Sequence, residues 1–301
     1  MRILLTNDDG IEAEGLACLE KIARALSDDV WVVAPQTEQS AKGRGITLTE
    51  PLRVNQLGDK RFAVTGTPTD CVILAVNDIM PEKPDMVLSG VNRGHNVGED
   101  VSYSGTVAGA LQGMAFGIRS IALSQSLERF HDEAIAHWET AEAFGPGIVA
   151  RLLEQKWGEG VVMNVNFPRL PPELVKTVEV TRQGFRDIGE MHAIRRTDLR
   201  GRDYYWMAFR GAPQEHAEGT DLRAMDEGRI SVTPLHIDLT HMQSVNDLKK
   251  VLGGAPPKGR RKNESQGRPR GPIDPVAAAS GGDGRAGSEG DGIHRPRRLR
   301  P

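Results

Sequence analysis

The sequence predicts a doubly wound, Rossmann-like α/β fold: a mostly parallel sheet with C-terminal antiparallel β-arm extensions. Three observations carry this. Short, fully apolar runs such as "RILLT" and "PDMVLSG" suit parallel strands buried on both faces. These runs alternate with helix-length segments as far as "VVMNVNFP". Past Pro172 the rhythm gives way to alternating strand-like runs, with no helix of comparable quality between them.

Taken in order, "RILLT" opens as a buried strand, and from Glu14 to Leu26 the apolar residues Leu16, Leu19, Ile22, Ala23 and Leu26 recur at helical spacing. "VWVVAP" is the second strand, stopped by Pro35. A polar loop, "QTEQSAKGRG", leads to "ITLTEPLRV", which alternates like a half-exposed strand, and then to the strand "RFAVTG". "TPTDCVILAVNDIM" reads as a helix with Thr67 as N-cap and Pro68 in the first position. "PDMVLSG" is a strand ending in Gly90; the glycine-rich loop "VNRGHNVGEDVSYSG" follows and enters a helix of small residues, "TVAGALQGMAFG". "IRSIALSQ" is a further strand, and a long helix is expected from about His131 to Gln155 despite Gly145 and Pro146. After the strand "VVMNVNFP", the runs "VKTVEVTRQGF", "RDYYWMAFRG" and "GRISVTPL" read as antiparallel extensions, a hairpin arm for oligomer contact among them. "SVNDLKKVLGG" closes as a short helix.

This order divides the chain into an α/β catalytic core (1–172), a β-rich arm with C-terminal elements (173–252) and a tail (253–301). The tail carries eleven Lys and Arg against five Asp and Glu, a formal +6, which leaves residues 1–252 at −9 of the total −3. Rich in Gly, Pro, Ser and charge, it has too little apolar surface to offset the entropy of ordering and is expected to be disordered. Its basic residues suit nucleic acid or an acidic partner, but a solvated tail without a specific role is the simpler reading. Cys18 and Cys71 lie in apolar helical segments without metal-ligand spacing, so two buried, reduced thiols are expected instead of a disulfide. With no signal-peptide pattern and no apolar stretch near the roughly 18 residues of a membrane span, the expectation is a soluble cytoplasmic protein.

In open α/β sheets, ligands bind beyond the carboxyl ends of the strands, where strand order reverses. This chain places Asn7, Asp8 and Asp9 after its first strand, and Thr37, Glu38, Ser40 and Lys42 after its second. Asn92, Asn96, Ser104 and Thr106 follow "DMVLSG". The groups are mostly oxygen donors, with His95 the single histidine, which suits Mg²⁺, Mn²⁺ or Ca²⁺ better than a soft metal. Asp8 and Asp9 have two readings at this level: a turn and helix cap, or a cation site. Two adjacent acids exceed what a cap needs. They are not separated by the one residue that haloacid-dehalogenase-type phosphatases use. "YSGTVAGA" has two readings as well, a plain capped helix or an anion site at a helix N-terminus, with Ser104 as cap, Gly105 allowing close approach and Thr106 in the first turn. In the glycine-rich loop, Asn96 suits donation to a phosphate oxygen and Asn92 presentation of a carbonyl to a metal; either also suits a local turn bond.

The blocks "RILLTNDDGI", "VVAPQTEQSA", "GTPTDCV", "PDMVLSGVNRGHNVGEDVSYSGTVAGA" and "ISVTPLHIDLT" together resemble the SurE survival-protein family, the 5′/3′-nucleotidases, from Met1 to about Thr240. The resemblance implies a phosphomonoesterase acting on nucleoside monophosphates. Its metal ligands would be Asp8, Asp9, Ser40 and Asn92, holding one divalent ion, Mg²⁺ or Mn²⁺. Its phosphate contacts would be Asn96, Ser104, Gly105 and Thr106, with Asp8, Asp9 and Asn96 carrying the chemistry. It further implies a homodimer or homotetramer built partly by C-terminal arms. Lys42 and Arg44 have two readings, substrate contacts or, more simply, solvated loop charges, and Tyr103 is a candidate for stacking on a base.

Two alternatives compete with a phosphomonoesterase. One is a nucleotide-binding or sensing protein that keeps the metal pocket without turnover; the intact set Asp8, Asp9, Ser40 and Asn92 argues against it. The other is a dinucleotide-binding enzyme. It fails because acids, not the G-x-G-x-x-G turn, follow the first strand, where they would repel a pyrophosphate.

Overall fold

A computed structural model of the protein describes residues 1–130, 133–186, 191–209 and 215–253. All but the first residue of the tail expected to be disordered, 253–301, lies outside them. The first half runs β1 (Arg2–Thr6), α1 (Glu14–Arg24), β2 (Asp29–Pro35), β3 (Val54–Gly58), β4 (Arg61–Val64), α2 (Pro68–Leu74), β5 (Met86–Arg93) and α3 (Gly105–Ala115). It continues with β6 (Arg119–Gln125), β7 (Leu127–Phe130), β8 (Glu133–Ala136), α4 (Trp138–Leu153) and β9 (Val161–Phe167). Beyond these come β10 (Val178–Val180), β11 (Met191–Thr197), β12 (Asp203–Phe209), α5 (Asp221–Asp226), β13 (Ile230–His236) and α6 (Met242–Leu252). Residues Met1–His241 form one compact unit, and α6 belongs to a second that starts at Met242. No described helix is long and apolar enough to cross a membrane.

Nine strands make one sheet in the order β10-β13-β9-β6-β5-β1-β2-β4-β3. The six from β9 to β4 in that order run parallel; β13 is antiparallel to β9 and β3 to β4. Alternation along each strand sends side chains to two different cores. Ile3, Leu5, Met86, Leu88, Ile121, Leu123, Val165 and Phe167 pack with α1 and α4. Leu4, Val33 and Val87 pack with α2, and Ala122 and Val162 with α3. α3 sits close on the sheet because its small residues permit it: a Cβ on Gly109 would lie 2.7 Å from Ser89 Oγ. α2 starts as the sequence predicts, with Pro68 in its first turn and a capping box between Thr67 and Asp70. Cys18 and Cys71 are buried free thiols.

Four sequence expectations change. "ITLTEPLRV" is not a strand before Val54: Pro51 lacks a ladder donor, and Thr47 gives its N–H and hydroxyl to Asp70 at 3.0 and 2.7 Å. The helix expected from His131 starts at Trp138, because "EAIA" pairs with β7 as a hairpin; residues 131 and 132 lie outside the described set. The strand "PDMVLSG" does not stop at Gly90 but runs on to Arg93 through a register shift between Ser89 and Asn92. Of the three runs after Pro172, only "RDYYWMAFRG" contributes to a separate antiparallel hairpin, β11–β12. "GRISVTPL" supplies β13, buried beside β9 in the main sheet, and "VEV" pairs parallel to it as β10.

Candidate functional site

Strand order reverses at β1, which has β2 on one side and β5 on the other, so the carboxyl ends of β1 and β5 open the crevice where α/β folds bind ligands. Asp8 and Asp9 leave β1 at this point, and Asn92 stands at the end of β5. Asp8 is buried and faces α3: the Thr106 hydroxyl donates to its Oδ1. Gly105 is needed beneath it, since a Cβ there would lie 2.7 Å from Asp8 Cβ. Burial pushes the Asp8 carboxyl above its ordinary pKa, against the hydrogen bond from Thr106 and the N–H groups of Gly105 and Thr106. Asp9 faces the opposite side and accepts the Arg93 N–H at 3.2 Å. Burial, then the neighbouring charge of Asp8, raise its pKa to about 6. The two neighbouring carboxylates therefore repel each other within the fold.

The loop after β2 closes over both acids. Gln39 N–H donates to the Asp8 carbonyl at 2.7 Å, Gly43 N–H to the Tyr103 carbonyl at 3.0 Å, and Arg44 to Gln112 of α3 at 3.1 Å. Arg44 is thus a brace on α3, not a solvated charge, whereas the exposed Lys42 ammonium donates to Gln39 at 2.8 Å. Asp9, Glu38, Ser40, Arg93 and Trp138 line a cleft of about 450 Å³. Ser40 donates to Glu38 at 2.7 Å, which leaves its oxygen lone pairs available. Asn92 donates its amide to the Gly94 carbonyl at 2.9 Å, which fixes the side chain and leaves Oδ1 without a partner among the described residues. The four positions implied as ligands thus offer two carboxylates, one amide carbonyl and one hydroxyl. No group of three or more His, Cys, Asp or Glu placed to hold a metal ion occurs among the described residues. A hard divalent ion fits this all-oxygen set, and its charge would offset the Asp8–Asp9 repulsion.

The helix N-terminus is both capped and charged. Ser104 Oγ accepts the Val107 N–H at 3.0 Å, while the Thr106 hydroxyl is committed to Asp8 instead of being free for an anion. Asn96 is buried and points into a polar network that no spacing rule announced. Its N–H donates to Asn166 Oδ1 at 2.8 Å, and its carbonyl accepts from Asn164 and Asn166 at 2.8 and 3.2 Å. Its side-chain amide donates to Ser124 Oγ at 2.9 Å. A second clamp lies just beyond: the buried Asp221 carboxylate accepts the N–H groups of Gly98, Gly184 and Leu222, tying the segment before α3 to the start of α5. The signal for Asn164 and Asn166 was present in "VVMNVNFP", where two amides at i and i+2 share one face of a buried strand. Asp221 had none, its partners being remote in sequence.

Comparison with known proteins agrees with these features. The family described as Survival protein SurE matches residues 3–190. A protein named 5′-nucleotidase SurE from Caulobacter vibrioides is 68% identical over 259 residues, covering 86% of this chain and 98% of that relative. Another of that name, from Hyphomonas neptunium, is 54% identical over 250 residues, covering 83% and 98%. The crystal structure of the SurE protein from Aquifex aeolicus superposes with a TM-score of 0.71 at 38% identity, covering 83% of this chain and 99% of that one. With its paired acids at the switch point and this degree of likeness, the chain belongs to the SurE survival protein family.

Proposed function

We propose that this chain is a 5′-nucleotidase of the SurE type, a phosphoric monoester hydrolase that converts nucleoside 5′-monophosphates, and 3′-monophosphates, to nucleoside and phosphate. The observation that carries it is the pair of Asp8, buried, and Asp9, half-buried, at the switch point, with Asp8 braced on the N-terminus of α3. Relatives at 68% identity bear the 5′-nucleotidase name.

Asp8, Asp9, Ser40 and Asn92 would hold one divalent ion, Mg²⁺ or Mn²⁺. Such an ion, when bound, supplies a Lewis acid for phosphoryl oxygens and lowers the pKa of a water. The chain's own part is positioning. The Thr106 hydroxyl holds Asp8 in one orientation. Asn96 has a second amide hydrogen not used on Ser124, and the first-turn N–H groups at Gly105 and Thr106, shared with the Asp8 carboxylate, carry the positive end of the helix dipole. These donors would grip the phosphate, with the Ser104 hydroxyl hydrogen beside them.

We read residues 1–172, with β10 and β13 added to their sheet, as the catalytic core, the β11–β12 hairpin within 173–252 as the part that contacts other subunits, and 253–301 as a basic tail without a required nucleic-acid partner. The exposed Tyr204, Tyr205, Trp206 and Met207 of the β11–β12 hairpin support a homodimer or homotetramer. The free buried thiols suit a cytoplasmic location.

The test is phosphate release from a panel of nucleoside 5′- and 3′-monophosphates, metal-free and with Mg²⁺ or Mn²⁺, for the parent and Asp8→Asn. Metal-dependent turnover that collapses in the variant is expected. Nucleotide binding without turnover under any metal would overturn the proposal in favour of a sensor.

A further inference from the structure

We propose that Asn166, with Asn164 and Ser124, is a positioning device for Asn96, so that β9 and β6 set where the phosphate-gripping amide stands. The inference rests on the reading of Asn96 as a substrate contact. Asn96 lies in a glycine-rich loop, between Gly94 and Gly98, both at positive φ. Such a loop has no ladder of its own to fix it. Asn166 supplies one: its Oδ1 takes the Asn96 N–H and its Nδ2 gives to the Asn96 carbonyl. This is the two-bond exchange that a neighbouring strand residue would make. Asn164 adds a second donor to the same carbonyl, and Ser124 fixes the side chain by accepting from its Nδ2.

All three partners are fully buried on strands, the most rigid elements available, and they share the sheet face under α3. Amides in a central strand are costly unless bonded, and no other side chain among the described residues bonds Asn166. Its function in the fold is therefore its hold on residue 96. The side-chain bond also determines direction. With one amide hydrogen spent on Ser124, the other has a single orientation, so the loop presents one donor at a fixed angle and not a freely rotating group.

The experiment is a double-mutant cycle between positions 96 and 166, read as kcat and KM on p-nitrophenyl phosphate and on AMP, with Mg²⁺ or Mn²⁺ present. Folding of each variant is checked by its melting temperature. Asn166→Ala should lower kcat/KM by roughly 10–100-fold, the scale seen when an outer partner of a site is removed. In an Asn96→Ala background the same change should cost less than about threefold, because its effect passes through residue 96. Equal losses in both backgrounds would mean a general structural role and overturn the proposal. So would a folded Asn166→Ala enzyme with parental kinetics. If Asn166→Ala does not fold, Ser124→Ala removes a single hydroxyl and takes its place in the cycle, with the same two outcomes. Should Asn96→Ala keep parental kcat/KM while Asp8→Asn loses it, the substrate contact at residue 96 is refuted and the positioning role with it. Activity surviving in Asp8→Asn would refute the proposed site itself.

Discussion

The two faces of the central sheet are built to different rules. Toward α1 and α4, the central strands β1, β5, β6 and β9 contribute aliphatic or aromatic groups: Ile3 and Leu5, Met86 and Leu88, Ile121 and Leu123, Val165 and Phe167. Toward α2 and α3, the same strands start apolar and turn polar near their carboxyl ends: Leu4 then Thr6, Val87 then Ser89, Ala122 then Ser124, Val162 then Asn164 and Asn166. Ser89 Oγ and Asn164 Oδ1 are buried with no partner among the described residues. Each such orphan costs on the order of 1–3 kcal/mol. One face is thus organised for stability. The other gives up stability to hold polar groups where the Asp8 and Asn96 loops pass over it.

The sharpest way to break this comparison is to cut each face separately. On the apolar face, Phe167 is fully buried in the main core. Phe167→Ala should cost about 3–5 kcal/mol of stability, read by denaturant unfolding, while turnover per folded molecule stays near the parent. On the polar face, Asp8→Asn should do the reverse. Activity should fall by about 10²–10³-fold or more, the scale of one lost electrostatic group. The metal-free melting temperature should hold or rise, because a buried charge beside Asp9 is gone. A large drop in that melting temperature would show that Asp8 is needed for the fold and that the division between the faces is false.

Gly109→Ala probes the seam between helix and polar face. The added Cβ would lie 2.7 Å from Ser89 Oγ and 2.9 Å from Thr6 Cγ2, so α3 must move. Overpacking of this kind costs about 1–3 kcal/mol. Since the N-terminus of α3 carries Thr106 and Gly105 against Asp8, turnover should fall along with stability. Loss of stability without any change in kcat would show that the helix is free to shift without moving the site.

The apolar face was the more legible in the sequence, for a physical reason. Runs such as "RILLT" and "PDMVLSG" carry their burial in their own composition, so strands, order and even the capped start of α2 could be read locally. The place of the paired acids was legible too, because they follow directly on a buried strand; whether they cap a turn or hold a cation was not. What stayed hidden depends on pairing across distance. "ISVTPL" is an alternating run whether it forms an arm or enters the sheet; only its ladder with Asn164 and its neighbours decides. "EAIA" fits a helix until residues 127–130 pair with it. Arg44 looks like a loop charge until Gln112, 68 positions away, receives it. Asn164 and Asn166 are intermediate: their common face was readable, while the loop they bond was not.

The smallest effect expected comes from a charge cluster at the start of α4, beside Trp138 of the cleft but bonded to none of the residues proposed as ligands. His137 sits between Glu128 and Glu139, bonded to them at 2.8 and 2.9 Å. Burial pulls its pKa down, but the two carboxylates outweigh that and hold it above the ordinary value. A raised folded pKa makes the contribution to stability fully present below the unfolded value, about 6.5, and lost as pH rises through the folded one. The parent should therefore exceed His137→Gln in melting temperature at pH 6, with the gap closing toward pH 8. Its size should correspond to less than about 1 kcal/mol, as for other partly exposed pairs. Turnover should not distinguish the two proteins at either pH. A gap that widens with pH would mean that the carboxylates do not stabilise the imidazolium. A change in kcat would mean that this cluster positions Trp138 in the cleft.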